Sequence, residues 1–209
     1  MDVPLRADAE RNRQRLLAAA RDLFATRGLH VTLDDIARHA GVGTGTAYRR
    51  FANKDELIEA LMVDRIHEIG AIARECLEEP DPWRALAGFF ERALALQASD
   101  RGLKDILWSS GHGREQVIHA RRAIAPPVTK LVRRAVDAGV VRADMATSDV
   151  PLINFMLNSI ADFSRDVEPE LYKRYLAIVL DGLRRRPDAE PLPVEALSVR
   201  AFQDTVAKT

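Results

Sequence analysis

Residues 32 to 51, Thr-Leu-Asp-Asp-Ile-Ala-Arg-His-Ala-Gly-Val-Gly-Thr-Gly-Thr-Ala-Tyr-Arg-Arg-Phe, constrain the fold of this chain more tightly than any other stretch. Thr32 has the hydroxyl an N-cap needs to accept a bond from a first-turn N–H. Asp34 and Asp35 put negative charge at the positive end of the helix it opens. Leu33, Ile36, Ala37 and Ala40 recur at three- and four-residue spacing and share a buried face. Ala37 is small enough for a second helix to cross closely. Gly41 then falls where the chain must turn sharply, a position served by a residue that tolerates a left-handed backbone. Val42 fills the core behind the turn. A second helix is expected from about Gly43 to Arg50, with Thr44, Gly45, Thr46, Tyr48 and Arg49 outward and Ala47 and Phe51 inward. Two short helices held across a tight turn form a helix-turn-helix, which makes DNA the leading partner.

The chemistry of the second helix agrees. In a helix-turn-helix its N-terminal part lies in the major groove. Arg49 has the donors for guanine O6 and N7, and threonine methyls can touch thymine. Tyr48 and Lys54 suit phosphate contacts. Asn53 is the expected N-cap of the next helix, with Glu56 at its third position as in a capping box. The spacing Gly41-x-Gly43-x-Gly45 is not a dinucleotide-binding loop, because that fingerprint needs a preceding strand and a third glycine placed differently.

This segment resembles the N-terminal domain of the tetracycline-repressor (TetR) family of bacterial regulators. Those proteins carry Gly-Val-Ser-x-Gly-x-Leu/Ile-Tyr-x-His-Phe-x-x-Lys-x-x-Leu here. In this chain the pattern is Gly41-Val42-Gly43-Thr44-Gly45-Thr46-Ala47-Tyr48-Arg49-Arg50-Phe51, followed by Lys54 and Leu57. The resemblance implies DNA contacts from Thr32, Thr44, Gly45, Thr46, Tyr48, Arg49, Arg50 and Lys54. Ala47 departs from a larger aliphatic residue, so looser packing is expected there. Gly43 and Gly45 each lower helix propensity by roughly 1 kcal/mol relative to Ala, which points to a recognition helix partly mobile until DNA binds. Arg50 replaces a common His and adds a cation on the DNA side. Motif-level likeness covers about residues 8–62. Beyond that it rests on helix number and length and on Ala138-Gly-Val-Val-Arg-Ala-Asp144, similar to the family's turn before its eighth helix.

The remainder reads as helix. Segments are expected over about Asp8–Thr26, Lys54–Glu78, Trp83–Ser99, Asp100–Gly111, Arg114–Ala138, Val150–Arg165 and Pro169–Arg186. Arg27-Gly28, Pro80-Asp81-Pro82 and Gly139 act as stops. Pro126-Pro127 should kink or split its helix. No strand-like alternation stands out, so the fold class is all-α. The resemblance implies about nine helices: a helix-turn-helix DNA-binding domain over residues 1–53 and a helical effector-binding and dimerisation domain over 54–186. Residues 187–209, with Pro191 and Pro193, read as an extended tail.

The last two helices carry Leu152, Phe155, Met156, Ser159, Ile160 and Phe163, then Leu171, Tyr175, Ile178, Val179, Gly182 and Leu183. A helix apolar on more than one face needs a partner on each side. The resemblance implies a homodimer through these helices, presenting two recognition helices to a palindromic operator about one turn (~34–36 Å) apart. It also implies a small-molecule effector in a pocket between the fourth and eighth helices. Candidate lining residues are Met62, Ile66, Ile69, Phe89, Phe90, Leu107, Trp108, Phe155 and Phe163, each equally at home in a plain core. Polar residues set into apolar stripes are better pointers, because a buried polar group must find a partner. These are His67, His112, Asn154 and Asn158. Asn154 and Asn158 share one face, placed either to orient a ligand or to bond across the dimer seam.

Composition bounds the alternatives. The 209 residues carry 31 basic and 31 acidic side chains, so there is no overall attraction to DNA. Residues 1–55 hold ten Lys and Arg against seven Asp and Glu, and a basic face has to be local. Arg6, Arg11, Arg13 and Arg15 either reach DNA as a basic arm does or form a solvated helix face. The charged N-terminus lacks the apolar stretch of a signal peptide. No run approaches the ~18 apolar residues of a membrane span. The single Cys76 excludes an internal disulfide, fits a reducing cytoplasm and reads as buried packing. The five His residues are scattered, none at metal spacing with Cys or carboxylate. No nucleophile–base set is evident. The expectation is a cytoplasmic, non-enzymatic regulator without cofactor or metal, released from its operator by an effector. The alternatives are a DNA-binding activator or constitutive repressor without effector, and a helical interaction module without specific DNA binding.

Overall fold

Among the described residues, helical periodicity along the sequence becomes helix. The computed structural model describes residues 3–98, 114–198, 201, 202 and 205. Its helices are α1 (Val3–Arg27), α2 (Leu33–His39), α3 (Thr44–Arg50), α4 (Lys54–Leu77), α5 (Pro82–Ala98), α6 (Arg114–Asp137), α7 (Asp149–Phe163) and α8 (Leu171–Leu183). Among the described residues there is no strand, and the isolated bridge joins Val141 to Arg184. The helix expected over about 100–111 lies outside the described residues. No helix among the described residues is long and apolar enough to cross a membrane.

Helix α1 begins at Val3, so the backbone at Arg6, Arg11, Arg13 and Arg15 is helix, in line with the second of the two readings given for them. One expectation is corrected. Helix α6 is not split at Pro126-Pro127 but continues through both. Each proline removes one backbone donor. The turns that follow are held by buried Val128, Leu131, Val132 and Ala135, which keep the helix in register beyond the break.

The chain divides into two compact units. The first comprises residues 1–65 with the start of α6 through His119. Its buried side chains are Leu16, Leu17, Leu23 and Phe24 of α1, Leu33, Ile36 and Ala37 of α2, then Ala47, Phe51, Leu57, Ile58 and Leu61. Here α2 packs on both α1 and α3.

The second unit comprises Ile66 through α5 and Ala120 onward. Helix α5 packs against α7 and α8, which also pack on each other. Its Phe89 and Phe90 stand edge to face, with centroids 6.1 Å apart, in a core with Leu86, Leu131, Leu157 and Leu176. The end of α4 is tied down by Arg134, which donates to the carbonyl of Leu77 at 2.8 Å and to that of Glu79. The Leu77 carbonyl ends its helix, where backbone acceptors lack an intrahelical partner, and Glu79 lies just beyond it. Past α8, Arg184 lies 3.9 Å over the Trp83 ring.

Candidate nucleic-acid interface

The interface is built on a stiff turn. The Thr32 hydroxyl accepts from the Asp35 N–H at 3.2 Å while the Asp35 carboxylate accepts from the Thr32 N–H at 3.1 Å. This closes a full capping box. The Thr32 hydroxyl and N–H hold the Asp35 carboxyl below its ordinary pKa. At the other end, the Gly41 N–H bonds to the Arg38 carbonyl at 3.1 Å and the Val42 N–H to the Ala37 carbonyl at 2.9 Å. That is a Schellman ending with Gly41 at its left-handed position, φ +60°. A Cβ on Gly41 would also lie 2.9 Å from Arg15 Nη2, which donates to the Gly41 carbonyl at 3.3 Å.

Helix α3 then starts at Thr44 with Gly43 as its N-cap. Ala47 is fully buried in the helix pair. Thr44, Gly45, Tyr48, Arg49 and Arg50 are exposed and Thr46 is half-buried. The Arg49 guanidinium lies back along the helix, donating to the Gly45 carbonyl at 3.2 Å and to the Thr46 hydroxyl at 3.1 Å. Thr46 therefore positions Arg49. Asn53 caps α4, its carbonyl oxygen accepting from the Glu56 N–H at 2.9 Å. The Glu56 carboxylate accepts from the Ala52 N–H at 2.6 Å, one residue earlier than in a standard capping box. Lys54 opens α4 beside them, and Thr32 is exposed at the start of α2.

A charge network that spacing alone did not disclose runs behind α3. Arg50 pairs with Glu10 at 3.4 Å, Arg13 with Glu10 at 3.6 Å, and Arg13 with Asp64 of α4 at 3.3 Å. The Gln14 amide bonds Glu10 at 2.9 Å. That bond, then the two guanidinium groups, hold the Glu10 carboxyl below its usual range. Arg11 pairs with Asp8. Arg11, Arg13 and Arg15 are thus engaged within this unit.

The comparisons with known proteins match this geometry. The description "Bacterial regulatory proteins, tetR family" matches residues 16–61, and "Transcriptional regulator SbtR-like, C-terminal domain" matches residues 81–185. The chain is 31% identical over 150 residues to the HTH-type transcriptional regulator SrpR of Pseudomonas putida, covering 68% of this chain and 70% of that protein. The chain belongs to the TetR family. Likeness to another relative, the HTH-type transcriptional regulator TtgR, also of Pseudomonas putida, is 38% over 107 residues. That match spans 48% of this chain and about half, 50%, of that relative. The crystal structure of the TetR transcription regulatory protein from Mycobacterium vanbaalenii superposes with a TM-score of 0.65 at 37% identity. It covers 87% of this chain and 99% of that one. This TetR-family member is accordingly a DNA-binding transcriptional regulator of the helix-turn-helix type.

The residues suggested as effector contacts are scattered. Met62 is buried in the first unit. Ile66, Phe89 and Asn158 are buried in the second. Asn158 donates to the Gln97 side chain of α5 at 2.8 Å and to the Asn154 carbonyl at 2.9 Å. Asn154 donates to the Val150 carbonyl at 3.0 Å, and its side-chain oxygen is buried with no hydrogen-bond partner among the described residues. Both asparagines lie on the buried face of α7, away from its exposed apolar row. Phe155 is on that row, 42% exposed beside Leu152 and Met156. Trp108 and His112, like Leu107, lie outside the described residues. The reading of Cys76 as packing holds: it is buried, and burial pushes its thiol pKa up. An open groove of about 860 Å³ runs along α6 past Arg122, Thr129, Lys130 and Arg133, a set that apolar periodicity did not select.

Proposed function

We propose that this chain is a homodimeric repressor that holds a palindromic operator and releases it when a small-molecule effector binds. The observation that carries this reading is the exposed Thr44–Arg50 face on a fully closed α2–α3 pair. Arg49 reads base edges, Thr44, Gly45 and Thr46 approach the groove floor, and Thr32, Tyr48, Arg50 and Lys54 meet phosphates. Residues 1–53 act as the DNA-binding domain and 54–186 as the effector and dimer domain, working in the cytoplasm on nucleoid DNA.

The dimer forms through α7 and α8. Leu152, Phe155, Met156, Phe163, Tyr175 and Ile178 are all exposed on these two helices, and Phe163 is 91% exposed. Full burial of such a side chain contributes roughly 1.5–3 kcal/mol, which favours pairing against the cost of association. The effector enters the second unit beside Ile66, Phe89 and Asn158, and the buried Asn154 side-chain oxygen favours a ligand bearing an N–H or O–H donor. Effector binding tilts α4 and changes the spacing of the two recognition helices. The coupling this requires is typically about 1–3 kcal/mol.

Selection of bound duplexes from a random DNA pool at near-physiological salt tests the reading. A palindrome with half-sites about one turn apart is expected. Failure to enrich any sequence, repeated after unfolding and refolding to strip a carried effector, rejects it in favour of an interaction module.

A further inference from the structure

The segment after α8 is held down by its backbone while its apolar side chains face outward. Arg142, paired with Asp144, donates to the Glu190 carbonyl at 3.0 Å. The Leu192 N–H donates to the Asp144 carboxylate at 2.9 Å, and the Ser148 hydroxyl to the Leu197 carbonyl at 2.6 Å. Pro191 and Pro193 fix φ between these pins, which limits the conformations left to the segment. Yet Leu192 is 46% exposed, Val194 77% and Leu197 43%. Ordering a segment costs entropy, and one that buries so little on its own protomer recovers little of that cost.

The place where it is pinned indicates what covers it. Ser148, 5% exposed, lies four residues before Leu152. The row 148, 152, 155/156, 159, 163 is one face of α7, the same face that carries Leu152, Phe155, Met156 and Phe163. The Leu197 backbone therefore sits at the head of that apolar row, and Leu197 and Val194 continue it beyond the helix. Residues 190–198 contain Glu190 and Glu195 and no Lys or Arg, which argues against DNA or an anionic surface as the cover. The segment also lies beyond residue 185, where the matched C-terminal family description ends.

We infer that residues 190–197 form an arm covered by a second copy of this chain, extending the α7–α8 dimer seam. The inference rests on the dimer reading above. The partner's apolar row packs against Leu192, Val194 and Leu197, while the Arg142–Asp144 pair and Ser148 hold the arm at the right height. Asp144 is both the arm's acceptor and the partner of Arg142, so removing it frees the arm at one pin and releases the arginine that holds another.

Sedimentation equilibrium separates the possibilities. The full chain is compared with a chain ending at Pro187 and with the double variant Val194→Asp/Leu197→Asp. A dimeric full chain whose dissociation constant rises at least about tenfold in both variants supports the arm. Unchanged dissociation constants overturn it and leave the dimer reading standing. A full chain that stays monomeric overturns both. Should the variants fold poorly, Val194→Cys in the otherwise intact chain gives a second measurement. Its maleimide labelling should slow about tenfold or more as protein concentration rises through the dimer range, against a slow background from buried Cys76. Labelling independent of concentration overturns the arm.

Discussion

The two units solve burial in different ways. In the first, every large apolar side chain among the described residues is at least partly covered except Tyr48, whose exposure lies on the recognition helix. In the second, Leu152, Phe155, Met156, Phe163, Val167, Tyr175, Ile178, Leu192, Val194 and Leu197 all remain exposed. Among the described residues, the surface of the first unit is charged and polar, with acidic as well as basic groups. The second exposes many large apolar side chains, a surface that in water favours a partner. On the proposed reading, binding to DNA and binding to a second copy leave opposite signatures on one chain: exposed donors on a closed helix pair in one region, exposed hydrocarbon in the other.

The comparison breaks most visibly if the second unit is made self-sufficient. Phe163→Asp/Ile178→Asp should convert the protein to monomer, seen by light scattering, and reduce operator affinity by several kcal/mol through loss of the paired half-site. A variant that stays dimeric would move the seam elsewhere. Next in size is the recognition face itself. Arg49→Ala is expected to cost about 1–3 kcal/mol at the selected operator, measured by fluorescence anisotropy, with the thermal midpoint unchanged. The turn comes third: Gly41→Ala places a side chain at φ +60° and against Arg15, and should cost about 1–2 kcal/mol in urea unfolding.

The smallest effect is set by pH, and both units contribute. Asp35 is held below its ordinary pKa by the Thr32 hydroxyl and N–H, and Asp144 far below it by Arg142 and then the Leu192 N–H. A carboxyl depressed on folding stabilises the native state above its unfolded pKa of about 3.9, and that contribution is lost as pH falls through the folded value. Neither group should make stability vary between pH 6 and 8. Below about pH 4 both the α2 cap and the arm anchor weaken, which Asp144→Asn should mimic for the arm alone at neutral pH by hydrogen exchange.

Much of this was legible in the sequence where the decisive interactions are local. Thr32, Gly41, Asn53 and Gly139 act within a few residues of themselves, and residue type predicts their geometry. The apolar row of α7 was equally plain, because helical periodicity places 152, 155, 156, 159 and 163 together. What spacing could not supply were the pairings across the fold. Arg15 with Gly41, Arg50 with Glu10 and Arg13 with Asp64 join residues far apart in the chain. An arginine's flexible stem suits many partners, and only the packed helices choose one. The arm is the same case, since a tail with two prolines gives no hint that Asp144 and Ser148 await it. Persistence of α6 through Pro126-Pro127 was missed for a related reason: local preference was outweighed by the buried residues that follow.

The Glu10–Arg50 pair has a consequence for how the protein meets salt. A cation that binds a phosphate normally expels the nucleic acid's condensed counterions, and each such exchange steepens the loss of affinity with ionic strength by about 0.9 in logarithmic slope. Arg50 arrives already carrying a counterion, one attached to its own protein. If Arg50 docks on a backbone phosphate as proposed, Glu10 is left beside the incoming negative charge, with Arg13 as its remaining cation. On the proposed docking, the first unit would work as a small ion exchanger with a fixed anion, favouring sites where the remaining contacts are good enough to part the pair over any duplex that offers charge alone.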